Sequence, residues 1–304
     1  LWVMPPPWPG NGRCLWEMVT REAEWAKARR MIAGIGYWPW LMNQFYSDEQ
    51  MRRVFSAIRS WRVGLGYELP VLKGTRWGYD GKPLDAEVSF RQWKLFEDRM
   101  LAAGMPDIRW FAFDEPVYAA RHAAPRFADP ADRLKHGAEE TSAFIGMMRC
   151  AYPRARLGPI EPYPALSADE IIGAVTTIHG LCRAARVRGP DFLRLDVDWS
   201  IFDRGAGSWS EVRRIADHCR SLRIAFSLIY WAANQPRLPE RERDGPTVWR
   251  DGVMRQAATC RGAGIEPDEI VLESWLHMPQ HAVPEGDDNT FAASIHALTG
   301  ALRR

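Results

Sequence analysis

The chain has no long apolar run and almost no charge imbalance. Its 40 Lys and Arg nearly balance 38 Asp and Glu, for a formal charge of +2. The basic residues are scattered without blocks, which argues against nucleic acid as the main partner. No apolar stretch nears the roughly 18 residues that span a bilayer, so no membrane span is expected. The five cysteines, Cys14, Cys150, Cys182, Cys219 and Cys260, form no CxxC pair and no metal-ligand spacing. Four lie in helical-looking segments, where a buried free thiol is the ordinary outcome. Neither GxGxxG nor GxxxxGK[ST] occurs, and no covalent-cofactor lysine motif stands out, so no cofactor is expected. The first residue is Leu1, and Leu1-Trp2-Val3-Met4 already reads as a strand. An upstream signal peptide or tag is therefore expected to have been removed, which favours a secreted or periplasmic protein and leaves the cytoplasm open.

What is present is a regular alternation. Hydrophobic content of 46% and charged content of 26% suit a soluble domain with a real core. Apolar runs at 1–8, 31–40, 63–72, 108–116, 155–164, 192–199, 224–232 and 269–275 alternate with stretches of helical periodicity. The helices expected between them cover 14–31, a segment opened by Ser47, 89–104 with Ser89 as cap, 138–151, a segment opened by Ser167, 208–222, 246–263 and 289–303. Eight strand–helix units without a composition break predict a single (β/α)8 barrel over residues 1–304. A doubly wound open sheet is the rival, and it usually carries the glycine-rich phosphate loop that is missing here. Gly34, Gly36, Gly64 and Gly66 lie within strands, where small residues suit a crowded barrel interior.

The strand ends carry acids: Glu68, Asp114 with Glu115, Glu161, Asp196 with Asp198, and Glu273. An apolar run that ends in a carboxylate is costly unless that group reaches water, a partner or a substrate. In FLRLDVDW, Arg194, Asp196 and Asp198 share one face; in VGLGYELP, Gly64, Gly66 and Glu68 do so. Those faces should point into the barrel, so the acids are expected to converge at its C-terminal mouth. An ion pair between Asp196 and Arg194 inside the barrel is the plainer alternative for Asp196. Fifteen tryptophans are several times ordinary usage, and Trp8, Trp38, Trp40, Trp77, Trp199, Trp231 and Trp275 stand beside strand ends. Flat apolar rings next to carboxylates suit sugar rings, whose C–H faces stack while their hydroxyls meet the acids. A carbohydrate is the expected partner; oligomeric state is not readable.

The segment FDEP at 113–116 resembles the Asn-Glu-Pro motif that closes the fourth strand in the large clan of (β/α)8 retaining glycoside hydrolases. The resemblance implies Glu115 as acid/base, with Asp114 in the Asn position. Trp275 is similar to that clan's Trp flooring the sugar subsite on the eighth strand. The clan's nucleophile ends the seventh strand, and here IAFSLIYWA carries no acid. Glu161 or Glu273 would supply the second carboxylate, whose separation from the first decides retention (about 5–5.5 Å) or inversion (about 6.5–9.5 Å). Asp114-Glu115 also resembles the Asp-Glu pair of hexosaminidase-like barrels. There the Glu is the acid, the Asp orients the substrate's own acetamido nucleophile, and Tyr230-Trp231 would line its pocket.

The expected site is therefore Glu115, Glu161 and Glu273 for chemistry, with Glu68, Asp114, Asp196, Asp198, Trp38, Trp40, Trp199, Tyr230, Trp231 and Trp275 binding substrate. No metal is expected, since the seven histidines fall on helices or loops. An all-oxygen Mg²⁺ or Ca²⁺ site from Asp196, Asp198 and Glu161, as in a metal-dependent lyase or isomerase, stays open. So does a non-catalytic sugar-binding barrel. The loops 74–88 and 116–137 should wall the cleft. His277 and His281 should line its rim, and 279–291 should cross the mouth with Glu285 and Asp287 as outer contacts.

Overall fold

The computed structural model describes residues 1–7, 12–73, 85–123, 127–231, 248–275 and 278–302. Within them the apolar runs form eight parallel strands closed into one barrel in sequence order. The strands are β1 (Trp2–Met4), β2 (Gly34–Tyr37), β3 (Gly64–Leu69), β4 (Ile108–Asp114), β5 (Arg156–Tyr163), β6 (Phe192–Val197), β7 (Ala225–Tyr230) and β8 (Glu269–Glu273). Outside them lie α1 (Arg13–Thr20), α2 (Ala26–Arg29), α3 (Pro39–Phe45), α4 (Asp48–Trp61), α5 (Ala86–Ala102), α6 (Pro116–Ala123), α7 (Pro130–Ala151) and α8 (Ala168–Ala184). The short α9 (Trp199–Ile201), then α10 (Trp209–Ser221), α11 (Val248–Gly262) and α12 (Phe291–Leu302), complete the ring. This is the (β/α)8 architecture that the alternation predicts. None of the described helices is long and apolar enough to cross a membrane.

The serine caps act as expected. Ser47, Ser167 and Ser208 accept from the backbone N–H of Gln50, Glu170 and Glu211 respectively, and each satisfies a donor the first helical turn leaves over. Three helix expectations are corrected. The stretch 14–31 breaks into α1, a 3-10 turn over Glu22–Trp25, and α2. Helix α5 starts at Ala86 because the Asp85 side chain caps Val88 N–H, while Ser89 is buried and accepts from Leu72 N–H. The expected loop 116–137 instead holds α6 and the first turns of α7, which Asp129 caps and which starts at Pro130, eight residues before 138. All five cysteines are free; Cys150 alone is exposed.

Alternation along the strands assigns each side chain to the barrel interior or to the helix layer. Tyr67 points outward, its hydroxyl on the sulfurs of Met42 and Met100, and Phe113 packs edge-on to Phe144 of α7 at 5.0 Å. The interior is filled by few, large groups. Trp2 and Trp110 meet edge-to-face at 5.3 Å, and the Arg194 guanidinium lies 4.3 Å from the Trp110 ring centre. The glycines opposite leave the room: a Cβ on Gly66 would come within 2.1 Å of Trp110 Cε2, and one on Gly34 within 2.1 Å of the Trp2 ring. Gly66→Ala is therefore expected to cost about 1–3 kcal/mol, since Trp110 is boxed in by Trp2 and Arg194 and cannot retreat. Gly146→Ala, in open space on α7, should instead stabilise by about 0.5–1 kcal/mol. Urea unfolding of both variants checks the opposite signs, and equal behaviour would refute the packing account.

Candidate active site

At the C-terminal ends of the strands a cavity of about 120 Å³ is lined by Glu68, Lys73, Asp114, Glu115, Ile160, Asp196, Ile229, Glu273 and Trp275. Five of the expected acids thus meet, from β3, β4, β6 and β8. Consecutive residues in a strand point to opposite faces, yet Asp114 and Glu115 both face the cavity. Glu115 achieves this with a left-handed backbone, φ 48°. That conformation is disfavoured for a residue with a Cβ and persists where surrounding contacts fix it. Its N–H donates to Ile160 O at 3.0 Å and its carbonyl accepts from Ala119 N–H at 2.8 Å, so the turn is anchored to β5 on one side and starts α6 on the other.

Lys73, four residues past the end of β3, bridges the pair. Its Nζ stands 2.6 Å from Asp114 Oδ2 and 2.8 Å from Glu115 Oε2. Burial works against its charge, but the two carboxylates win and hold the ammonium well above its usual pKa. Asp114 is raised from the ordinary carboxylate range, chiefly by burial, with Lys73 opposing. Glu68 is raised by burial and by Asp114, against the 2.7 Å hydrogen bond donated by Trp38 Nε1. Asp196 is pushed up to about 8 by burial and Glu115, against a 2.5 Å bond from Trp231 Nε1. Glu273 is raised well above its usual value, by burial first and by Glu68 second. All four of these carboxyls are raised, so the cavity can keep a proton on one of them for use by a general acid.

The tryptophans divide. Trp275 lines the cavity and packs against Trp231 with ring centres 5.2 Å apart. Trp38 and Trp231 are buried and serve as donors to the acids. Trp199 packs between Phe202 and Trp209, at 5.5 and 5.4 Å, and Trp40 is half-buried in α3; neither lines the cavity. Tyr230 is out of phase with the inward Ser227 and Ile229, and its hydroxyl meets Cys260 of α11 in the helix layer. Trp8, Trp77 and His277 lie outside the described residues, as does most of the loop 74–88.

Glu161 also takes the outer face. Its two carboxylate oxygens accept from the N–H groups of Val117 and Tyr118 at 3.0 and 3.2 Å. It caps α6 from the neighbouring strand and is pushed up to about 8 by burial, with those amides opposing. The expected grouping of Asp196, Asp198 and Glu161 therefore does not form, because Asp196 points inward and Glu161 outward. Asp198 is half-buried at the start of α9, outside the cavity lining. Among the described residues, no three or more His, Cys, Asp or Glu are grouped to hold a metal ion.

Two further expectations are corrected. Asp196 and Arg194 make no ion pair: the Arg194 Nε donates to Ser227 Oγ at 3.2 Å, while Asp196 takes Trp231. Nor does 279–291 carry outer contacts across the mouth. Glu285 accepts from Ala28 N–H at 2.8 Å and pairs with His296 at 3.0 Å, and His281 pairs with Glu17 of α1. Asp287 accepts from Asn289 N–H in a local turn. These groups clamp the segment to the helix layer.

No protein-family model matches the chain, and no curated protein does. Solved structures match over the whole barrel. A xylanase A mutant of P fluorescens subsp. cellulosa in complex with xylopentaose superposes with a TM-score of 0.59 at 13% identity, covering 100% of this chain and 97% of that one. A psychrophilic family 10 endo-beta-1,4-xylanase gives 0.57 at 14%, covering 98% and 96%. An endoxylanase from a sugarcane soil metagenome gives 0.56 at 11%, covering 95% and 94%. At such identities the likeness is one of fold, the closed (β/α)8 barrel.

Proposed function

We propose that the chain is a glycoside hydrolase, with Glu115 protonating the leaving oxygen and Glu273 facing the sugar carbon from the opposite side of the barrel. The observation that carries this is the single cavity where both carboxylates meet Trp275. Glycosidic cleavage needs that combination: an acid for the departing oxygen, a carboxylate for the oxocarbenium-like centre and an apolar ring for the sugar face. The barrels of similar shape include xylanases, one of them in complex with xylopentaose, which agrees with a carbohydrate substrate. Glu161 has no part in the reaction here; it fixes the start of α6 behind Glu115. Glu68, Asp114 and Asp196 bind hydroxyls or tune the acid.

A second reading has its own support. Ile229 occupies the inward position at the end of β7, and the left-handed Glu115 turns two consecutive carboxylates onto one spot. That is the arrangement a substrate-assisted mechanism uses, with Asp114 orienting a 2-acetamido group that attacks in place of a protein nucleophile.

Reducing-sugar release from a glycan panel, followed by paired aryl glycosides bearing a 2-hydroxyl or a 2-acetamido group, separates these readings. If the enzyme cleaves both glycosides and loses about 10²-fold or more on Glu273→Gln, Glu273 is the second carboxylate. Selective cleavage of the acetamido glycoside, with the larger loss on Asp114→Asn, selects the substrate-assisted route. No cleavage of any glycan by the wild type would overturn both.

A further inference from the structure

Beneath the cavity floor lies a cation that sequence phase pointed to and that the reaction scheme above leaves idle. Arg194 is fully buried at the centre of the barrel. It is stacked over Trp110 at 4.3 Å and Phe192 at 5.0 Å, and pinned through Nε to Ser227. Among the described residues its Nη1 and Nη2 are buried without a hydrogen-bond partner, and so are Glu68 Oε2 and Glu273 Oε2. A buried guanidinium that forms no ion pair acts through its field, which is strong where water is excluded.

The mouth carboxylates differ in what else holds them. Asp114 and Glu115 have Lys73. Glu68 has the Trp38 indole and Asp196 the Trp231 indole. Glu273 makes no side-chain hydrogen bond among the described residues. The charges facing it are Glu68 from β3, Asp114 from β4, and Asp196 and Arg194 from β6; of these Arg194 alone favours its ionised form. Its neighbours Met4 on β1 and Ile229 on β7 carry no charge, and Arg194 itself faces Arg156 of β5 as well as Glu68. Stacking on Trp110 and the bond to Ser227 keep the guanidinium from swinging up to neutralise Glu273 by direct contact.

We propose that Arg194 is a positioning residue of this site: a fixed cation below the floor that favours the ionised form of Glu273, without touching the substrate itself. This rests on the reading of Glu273 given above, but the field can be measured without any substrate. In protein labelled with ¹³C at the glutamate carboxyls, the Glu273 signal is identified by its loss in Glu273→Gln. Its titration midpoint is expected to rise by about one pH unit or more in Arg194→Met, a tenfold change in proton affinity, and by less in Arg194→Lys. An unchanged midpoint in Arg194→Met overturns the proposal. Should that variant not fold, the Arg194 guanidinium ¹⁵N signals of the wild type must titrate with the Glu273 midpoint, and their failure to do so overturns it equally. On a cleaved glycoside, the acid limb of the kcat/KM profile should move with the midpoint. A moved midpoint in a protein that cleaves no glycoside sinks the glycosidase reading and leaves the role of Arg194 standing.

Discussion

Glu115→Gln is expected to lower kcat/KM on an unactivated glycoside by about 10²- to 10⁴-fold, the usual contribution of a positioned general acid. The amide is nearly isosteric and its oxygen can still accept from Lys73, so the cavity should keep its shape and the unfolding midpoint should stay near that of the wild type. What disappears is the proton for the leaving oxygen. The loss should therefore shrink to a few-fold or about tenfold on an aryl glycoside whose leaving group departs without one. Comparing the two substrates separates chemistry from binding. An equal loss on both would show that Glu115 holds the substrate, and unchanged turnover would remove it from the reaction altogether.

Lys73→Met should be the most damaging change to stability at the site. The ammonium is about 10% exposed and sits between two carboxylates that are themselves largely buried. Removing one partner of a buried ion pair leaves uncompensated charge, which costs about 3–5 kcal/mol. The sign of the pH dependence follows. Without Lys73, the folded-state pKa of Asp114 moves further above its unfolded value. Stability from a raised carboxyl is present below its unfolded pKa and is lost as pH rises through the folded one. The gap between variant and wild type should thus be larger at pH 8 than at pH 5, where protonation relieves the repulsion. Urea unfolding at both values tests this; a difference below about 1 kcal/mol, or one independent of pH, would contradict the geometry.

Much of this was legible in the residues, and what was not has a physical reason. The barrel followed from eight apolar runs separated by helical periodicity, and side-chain phase placed Glu68 and Asp196 inside it. The same phase, applied to β5, separates Glu161 from Ile160, the residue that lines the cavity, and assigns Glu161 to the helix layer. Applied to β7, it separates Tyr230 from Ile229. Glu115 is where the rule fails, because a left-handed residue reverses the alternation and nothing in FDEP announces it. Lys73 was missed for another reason: it lies in a loop, where periodicity says nothing. The charge balance was the available signal, since several buried acids around one mouth require a nearby cation. Helix α6 was hidden by Pro116, which suits a first helical turn but reads as a loop among the later prolines.

The cap that Glu161 places on α6 has a mechanical consequence. The span from Glu115 to Tyr118 is fastened to β5 at three points: the Glu115 N–H on Ile160 O, and the Val117 and Tyr118 N–H groups on the Glu161 carboxylate. The acid is therefore mounted on the neighbouring strand like a hinge leaf screwed to its frame, with Gly137 of α7 packed close against Val117 and Ala120 on its other side. Insertions or exchanges between α6 and α7 can reshape whatever surrounds the mouth while Glu115 keeps its place. Cleft shape and proton delivery are in this way separately adjustable in one barrel.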